Sequence, residues 1–397
     1  MAHLKRVACK AIDGVALKLN KISQELWKNS EMNYKEHHAH TILTDFLENQ
    51  GFHVDKKYKL DTAFRATFGN DRKGPHVAVL CEYDALPENG HACGHNLIAE
   101  LGVAAGVGIK AAMETSRQPI GKVTVLGIPA EEGGGGKVIL IDKHAFDNFD
   151  VVMTSHPEQT DSVRPNLITI QRVTVTYKGK ASHAAAFPWK GINALDAAVT
   201  CYQTVSCMRQ QMKPTWRVNG IIKKGGVKAN IIPEEAVLQY SIRAPNKTEL
   251  NVLLEKMSHC FESAAKATGC KVECKNSDVP YLNFIGNKEL ASTFETNAKE
   301  LGLAFDEDRM CSEGIQASSD IGNVSYIVPS LHPVFHIGTD EVNHTRGYAE
   351  ATGAAAAQPY TLRQGKAIAM TAVDVFTNKD LLQRIKIEFE NEPQRKD

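Results

Sequence analysis

The sequence predicts an α/β protein in which a larger, discontinuous domain is interrupted by a smaller α+β domain. Up to residue 166, apolar runs of strand length alternate with helical patterns. Near residue 167 a β-branched strand with alternating apolar residues begins, and after residue 280 helices and strands alternate again. A chain of 397 residues with 43% hydrophobic residues is long enough for two domains. We therefore expect residues 1–166 and 280–397 to form the larger domain and residues 167–279 the inserted one.

The elements of the first segment follow from residue spacing. Residues 11–28 and 35–49 carry apolar positions at helical spacing, and Gly51 ends the second helix. Apolar runs predict buried strands at 76–81, 122–128 and 151–155. The Ala-, Gly- and Val-rich stretch 97–113 predicts a tightly packed helix between the first two strands. This order predicts a mixed, mostly parallel sheet sandwiched by helices.

The middle segment predicts a ferredoxin-like α+β fold. Its strands are expected at 168–177, 217–222, 236–242 and 271–275, and its helices at 191–211 and 247–268. The resulting order, β-α-β-β-α-β, is that of a split βαβ sandwich. After residue 280 we expect a helix at 288–302, a strand at 333–337 and one long C-terminal helix.

Charge and cysteine content exclude several functional classes. Forty-six basic residues balance forty-six acidic ones, so no net charge attracts nucleic acid or an anionic membrane. Nine irregularly spaced cysteines predict free thiols in a reducing compartment. The N-terminus has no apolar run behind it, and no segment approaches ~18 continuous apolar residues. We expect a cytoplasmic protein that acts on a small molecule at a local site.

Four short segments place possible metal ligands at the ends of predicted strands, where α/β sheets commonly carry their sites. They contain Cys93 with His95, Glu131 with Glu132, His156, and three histidines at 332, 336 and 344. Thiolate and imidazole are good zinc ligands. Only one of the last three histidines is needed as a metal ligand. We assign that role to His332, in the stretch Leu331-His332-Pro333.

Each segment alone also has a purely structural interpretation. Cys93 could be a small buried hydrophobe, His95 a capping residue, and the paired acids a solvated loop. Four glycines follow Glu132, however, and glycine favours neither helix nor strand. The surrounding residues do not match the Walker phosphate-binding pattern. Taken together, the segments supply enough ligands for two cations, with Glu131 left as a base.

At these segments the chain resembles the amidohydrolase branch of the co-catalytic metallopeptidases, peptidase family M20. The motifs H-A-C-G-H, A-E-E-G-G, S-H-A at Ser182 and L-H-P at Leu331 occur in the family's order. The resemblance runs from about residue 15 to 375. Residues 81–100 are most similar to a dipeptidase subgroup, including Asn96, where most other relatives carry aspartate.

The resemblance implies a role for each position. The ligands of two divalent ions, zinc or manganese with cobalt as an alternative, would be Cys93, His95, Glu132, His156 and His332. Glu131 would be the general base, and Asp84 would orient a ligand. In the lid and dimerisation domain, His183 would stabilise the oxyanion, and Asn230 and Arg243 would bind the substrate carboxylate. Wider relatives carry His-x-Asp where this chain has Glu82-x-Asp84, which leaves open whether Glu82 contacts metal.

The implied function is that of a metal-dependent dipeptidase for substrates with a basic C-terminal residue, such as β-alanyl-lysine, β-alanyl-ornithine or Xaa-Arg. Asp320 and Glu313 are candidate acids for the basic side chain. The alternatives are an N-acyl-amino-acid amidohydrolase and an inactive regulatory protein that keeps the fold. We expect a homodimer, paired through an edge strand of the inserted domain.

Overall fold

The structure is a computed structural model that describes residues 1–276, 279–305 and 317–395. Its helices are α1 (Ala2–Lys28), α2 (His37–Asn49), α3 (His95–Thr115), α4 (Gly136–Asp142), α5 (Ala194–Met208), α6 (Lys247–Thr268), α7 (Lys288–Glu300), α8 (Ile321–Ser325), α9 (Arg346–Thr352), α10 (Gln358–Thr377) and α11 (Lys379–Asn391). Its strands are β1 (His53–Lys56), β2 (Phe64–Gly69), β3 (His76–Glu82), β4 (Lys122–Ile128), β5 (Val151–Met153), β6 (His156–Glu158), β7 (Thr169–Lys178), β8 (Arg217–Lys224), β9 (Glu235–Ala244), β10 (Lys271–Asn276), β11 (Ser330–Leu331) and β12 (Val334–His336).

The larger unit comprises Met1–Asn166 and the chain from Phe284 onward. Its six-stranded sheet has the order β1-β2-β4-β3-β5-β11. Strands β4, β3, β5 and β11 are parallel, β2 is antiparallel to β4, and β1 is antiparallel to β2. All seven residues of β3 are buried, which explains its apolar run from Val77 to Cys81. The mixed, mostly parallel sheet between helices confirms the predicted fold class. A separate parallel pair, β6 and β12, continues from the ends of β5 and β11.

Helix α3 is the central helix of this unit and contacts β3, β4, α1 and α10. Its small residues allow this close packing, since a Cβ at Gly102 would lie 2.6 Å from the carbonyl oxygen of Leu80. By length and composition α3 could cross a membrane, but 89% of its most apolar window is buried within the protein. Helix α3 begins at His95, so the packing of this helix against the sheet fixes the position of a predicted metal ligand.

The inserted unit, Leu167–Asn283, is built on a four-stranded antiparallel sheet of order β10-β7-β9-β8. Helices α5 and α6 pack on one face. Burial alternates strictly along β9, as expected for a sheet with one covered face. The order of elements is the predicted ferredoxin-like one, and the unit ends four residues later than the expected residue 279.

Several elements differ from the prediction for physical reasons. Strands β1 and β2 carry too few apolar residues to be recognised locally, and they form because they pair with the edge of the sheet. The apolar residues 138–141, for which no element was predicted, lie in helix α4. The predicted single C-terminal helix is two helices, because Asn378 leaves the helical conformation and its side chain caps α11.

Candidate metal centre

His95 is held in one orientation by Asp84. The His95 Nδ1 lies 2.9 Å from the carbonyl oxygen of Asp84 and 3.0 Å from its carboxylate. Both neighbours are acceptors, so Nδ1 carries the proton and Nε2 is left as a donor to a cation. Burial alone would lower the pKa of His95, but the carboxylates of Asp84, Glu132 and Glu82 raise it to about 10. The ring therefore lies where the potential strongly attracts positive charge.

Cys93, His95 and His156 form one set of possible ligands, here called the first triplet. Their donor atoms lie within 4.8 Å of one another, and the Cys93 Sγ is 3.3 Å from the His156 Nε2. The His156 Nδ1 donates to the carbonyl oxygen of Pro157 at 2.9 Å, which leaves Nε2 unprotonated. Burial, with the nearby charge of His95, lowers the pKa of His156 to about 4. The imidazole is therefore neutral, as a metal ligand requires.

Cys93, Glu132 and His344 form the second triplet, again within 4.8 Å of one another. The His344 Nε2 is 3.6 Å from the Glu132 Oε1. The backbone N–H of His344 donates to the carbonyl oxygen of Ala92 at 2.8 Å, and the residue has a φ of 69°. The backbone N–H of Glu132 donates to Asp84 Oδ2 at 3.0 Å, so Asp84 fixes both His95 and Glu132. The two triplets share the thiol of Cys93.

The structure brings His344, and not the predicted ligand His332, into a triplet. His332 belongs to neither triplet, and its role as the fifth ligand stays a prediction. The His332 ring packs near Phe284 and His156, at centroid distances of 5.8 and 6.1 Å. It lines a 210 Å³ pocket together with Val163 and Leu331. His332 follows β11 directly, whereas the loop after β12 carries His344 back to Cys93.

Glu131 belongs to neither of these two triplets, but it forms a third close group with His95 and Glu132, whose donor atoms also lie within 4.8 Å of one another. Its Oε2 is 3.9 Å from the His95 Nε2, and only 7% of the residue is exposed. The backbone around the two acids, residues 129–136 (here the glutamate loop), is folded tightly. Gly135 has a φ of 63°, and a Cβ at Gly136 would overlap the carbonyl oxygen of Pro129. These two requirements explain the glycines that follow the acids.

A buried lysine accompanies the acidic cluster. Lys137 is fully buried, and its Nζ pairs with Asp320 and lies 3.0 Å from the Glu82 Oε1. The other oxygen of Glu82 is 3.9 Å from the His95 Nε2, so Glu82 lies between the ammonium and the centre. Asp320 is fully buried and paired, which rules it out as the acid for a basic substrate. Glu313 lies outside the described residues.

The residues present fit a pair of cations. Among the described residues, the His95 Nε2 and Glu132 Oε1 are buried with no hydrogen-bond partner, and both point to the same centre. Buried acceptors of this kind are costly unless a cation or donor meets them. Burial and the charges of Glu132 and Glu131 raise the pKa of the Cys93 thiol. A nearby cation would reverse that effect and favour the thiolate.

Comparisons with known proteins show the family of this chain. The peptidase dimerisation domain of the M20 peptidases matches residues 169–269. The Xaa-Arg dipeptidase of Mus musculus is 51% identical, with 97% of this chain and 92% of the mouse protein aligned. The Homo sapiens Xaa-Arg dipeptidase is 48% identical over the same shares.

The chain belongs to peptidase family M20. Among solved structures, a dinuclear metal-binding peptidase of this family from Bacillus subtilis is similar, with a TM-score of 0.67 and 18% identity. The match covers 91% of this chain and 99% of that chain, and at this identity it bears on the fold alone.

In this M20 peptidase the remaining predicted site residues lie in the inserted unit. His183 is exposed, and the backbone N–H groups of Ala185 and Ala186 donate to its Nδ1 at 3.3 and 3.1 Å. The proton therefore lies on Nε2, which can donate to a substrate oxygen. His183 pairs with Ile231 in a β-bridge, and the exposed Asn230 lies next to that bridge.

Arg243 of the M20 peptidase lies on β9, on the sheet face away from α5 and α6. Its cross-strand neighbours are Arg217 on β8 and Ile170 on β7. Burial and the charge of Arg172 lower the pKa of Arg243. A guanidinium placed among other guanidinium groups creates a local potential that favours an anion.

Sequence reasoning missed His344 and Lys137. His344 is one of the three histidines of the fourth segment, but its left-handed backbone and its contact with Ala92 cannot be inferred from spacing. Lys137 directly follows the four glycines, and nothing in its local sequence marks it as buried. Its partner Asp320 is 183 residues away, which no local signal connects.

Proposed function

We propose that this M20 peptidase is a metal-dependent dipeptidase that hydrolyses small dipeptides with a basic C-terminal residue, such as β-alanyl-lysine, β-alanyl-ornithine or Xaa-Arg. The observation that carries the chemistry is the pair of triplets that share Cys93, with Glu131 beside them. The substrate class is supported by the Xaa-Arg dipeptidases, which align with nearly the whole chain.

Two divalent ions would be held by this centre. Cys93, His95 and His156 would bind one ion, and Cys93 and Glu132 the other. His344 would complete the second site by its proximity, with the predicted His332 as the alternative fifth ligand. Thiolate and imidazole favour zinc, while the carboxylate and imidazole donors also admit manganese or cobalt. When bound, such ions polarise a carbonyl oxygen and make water a stronger nucleophile near neutral pH.

Glu131 is the proposed general base. It would take a proton from the attacking water and return it to the leaving amine, which are two proton transfers at one carboxylate. Its slight exposure and its distance from His95 place this carboxylate at the edge of the centre. Glu131→Gln should keep the metal content and lose at least about a hundredfold in kcat, in line with general-base contributions. Undiminished turnover in this variant would exclude the role.

The inserted unit supplies the proposed substrate contacts. His183 would donate its Nε2 proton to the developing oxyanion. Arg243 would pair with the terminal carboxylate through two hydrogen bonds, and Asn230 would add a third donor. Arg243→Lys should therefore raise KM for dipeptides much more than it lowers kcat. Equal KM values for the variant and the wild type would contradict this assignment.

A dipeptide panel tests the substrate class. β-Alanyl-lysine, β-alanyl-leucine and β-alanyl-glutamate differ only in the C-terminal side chain, while N-acetyl-lysine and hippuryl-lysine differ only in the acyl part. The proposal predicts the highest kcat/KM for β-alanyl-lysine. Faster turnover of the N-acyl compounds would favour the amidohydrolase alternative, which the apolar pocket beside His332, lined by Phe284, Val163 and Leu331, would suit.

We also propose a homodimer formed through β8, one edge strand of the inserted sheet. Ile221 and Ile222 on β8 are 58% and 40% exposed, and Val199 and Tyr202 of α5 are 42% and 43% exposed. An exposed apolar strand edge readily pairs with a second copy. Sedimentation analysis should give a dimer at micromolar concentration, and Ile221→Asp should shift it to monomer. A monomeric wild type would contradict this proposal.

A further inference from the structure

The residue before the proposed base has an unfavourable backbone conformation. Ala130 has a φ of 59°, in the left-handed region that residues with a Cβ seldom adopt. It is fully buried, and its carbonyl oxygen accepts hydrogen bonds from the N–H groups of Gly134 and Gly136 at 3.1 and 3.2 Å. This conformation sets the direction in which the chain enters Glu131. Contacts outside the glutamate loop must therefore stabilise it.

Glu36 makes one of these contacts from 94 residues away. The backbone N–H of Ala130 donates to the Glu36 Oε1 at 3.0 Å, and the N–H of Tyr34 donates to the same oxygen at 2.9 Å. The hydroxyl of Thr62 donates to the Oε2 at 2.9 Å. Glu36 is fully buried, and burial raises its pKa. These three hydrogen-bond donors are all neutral, so the buried Glu36 carboxyl orients the groups that donate to it and forms no ion pair with them.

Tyr34 contacts the glutamate loop at a second point. Its hydroxyl donates to the carbonyl oxygen of Gly134 at 2.6 Å, and a Cβ at Gly134 would lie 2.6 Å from the tyrosine ring. Tyr34 itself has a φ of 62°, and its N–H is bonded to Glu36. Residues 34–36, here called the brace, thus hold the loop on both sides of Glu131 and Glu132.

We propose that Glu36 is a positioning residue for the hydrolytic reaction. By holding Ala130 in the left-handed conformation it aims the Glu131 carboxylate, and it acts on the chemistry only through the backbone of the glutamate loop. This inference rests on the proposed function, since Glu131 is the base only in that reaction. The brace itself is a structural property and can be measured without turnover.

Four variants test the proposal: Glu36→Ala, Ala130→Gly, the double variant, and Thr62→Val as a matched control. Thr62→Val removes one hydrogen bond to Glu36 but leaves the bond to Ala130. Each is measured for kcat and KM on β-alanyl-lysine, for metal content, and for hydrogen–deuterium exchange of peptides covering residues 129–136.

Glu36→Ala should lower kcat by roughly tenfold or more. Without the hydrogen bond from Glu36, Ala130 should leave the left-handed conformation, which alanine disfavours by about this ratio. KM and metal content should stay within about twofold of wild type, and exchange in residues 129–136 should be faster. Because glycine adopts the left-handed conformation at no steric cost, Ala130→Gly should restore several-fold of the lost kcat in the Glu36→Ala background. Ala130→Gly alone and Thr62→Val should change kcat by less than about threefold.

The proposal is overturned if Glu36→Ala keeps the wild-type kcat, or if Ala130→Gly has the same effect with and without Glu36. Unchanged exchange of the loop in Glu36→Ala also overturns it, whether or not the protein cleaves dipeptides. A wild type with protected loop amides but no dipeptidase activity would instead refute the proposed function.

Two milder variants cover the case in which Glu36→Ala does not fold. Glu36→Gln keeps the Oε1 acceptor for Ala130 and should retain kcat within about threefold. Tyr34→Phe removes the bond to Gly134 and should lower kcat several-fold with faster loop exchange. The proposed role of the brace is overturned if Tyr34→Phe shows wild-type kcat and wild-type exchange. It is also overturned if a loss of metal accounts for the change in activity.

Discussion

Replacing His344 with asparagine removes one of the three donors of the second triplet. The His344 Nε2 lies 3.6 Å from the Glu132 Oε1, and both lie within 4.8 Å of the Cys93 thiol. Asparagine is too short to bring a donor atom to the same place. The variant should therefore keep the first triplet and lose the cation held by the second.

The expected loss of metal affinity can be judged from the effect of smaller changes at metal sites. Loss of a group that only orients a ligand weakens metal binding by roughly 10–100-fold. Loss of a ligand should exceed that range, so His344→Asn should weaken one of the two metal sites by at least about 100-fold. Turnover of β-alanyl-lysine should fall by roughly 100-fold or more, because one of the two cations that would stabilise the developing negative charge is missing.

His332→Asn is the matched comparison. Both proteins are loaded with excess zinc or manganese, passed through a desalting column, and analysed for metal per chain by mass spectrometry. His344→Asn should hold about one ion per chain and His332→Asn about two. If His332→Asn loses an ion and His344→Asn keeps both, the geometric assignment of the fifth ligand is refuted.

Three further predictions concern buried charges. Asp84→Asn should weaken metal binding by roughly 10–100-fold, because Asp84 fixes the proton on His95, and a chelator competition assay with unchanged affinity would contradict this. Lys137→Met leaves Glu82 and Asp320 buried without their cation and should cost about 3–5 kcal/mol of unfolding free energy in urea titration; a loss under about 1 kcal/mol would argue against the network. Burial raises the pKa of Glu100 from 4.5 to about 7, so the folded protein keeps a proton that the unfolded chain loses between these values. Stability should therefore fall as the pH rises through this window, by up to about 3 kcal/mol, and level off above it. Glu100→Gln should remove that slope between pH 5 and 8, and an identical slope in the variant would contradict the assignment.

The fold was largely predictable because its central elements carry their own signals. Strand β4 and helix α6 coincide with the predicted ranges, since unbroken apolar runs and helical spacing reflect burial directly. Helix α4 was not predicted, because its seven residues are too few for helical spacing to show. It is helical because the backbone N–H of Lys137 at its start donates to the side chain of Asp320, a contact made only in the folded chain.

The site was predictable where a ligand lies in or next to a regular element. His95 begins α3 and His156 begins β6, and the structure brings both to Cys93 as expected. The choice between His332 and His344 could not be made in this way. Strand ends favour His332, whereas the loop that returns after β12 brings His344 within 4.8 Å of Cys93 and Glu132.

The most direct test of the central claim is the metal content and activity of wild type and Glu131→Gln measured side by side. We predict about two divalent ions per chain in both proteins, with β-alanyl-lysine cleaved by the wild type alone. A wild type that binds no divalent ion under loading, or a Glu131→Gln variant that cleaves the dipeptide at the wild-type rate, would contradict the account.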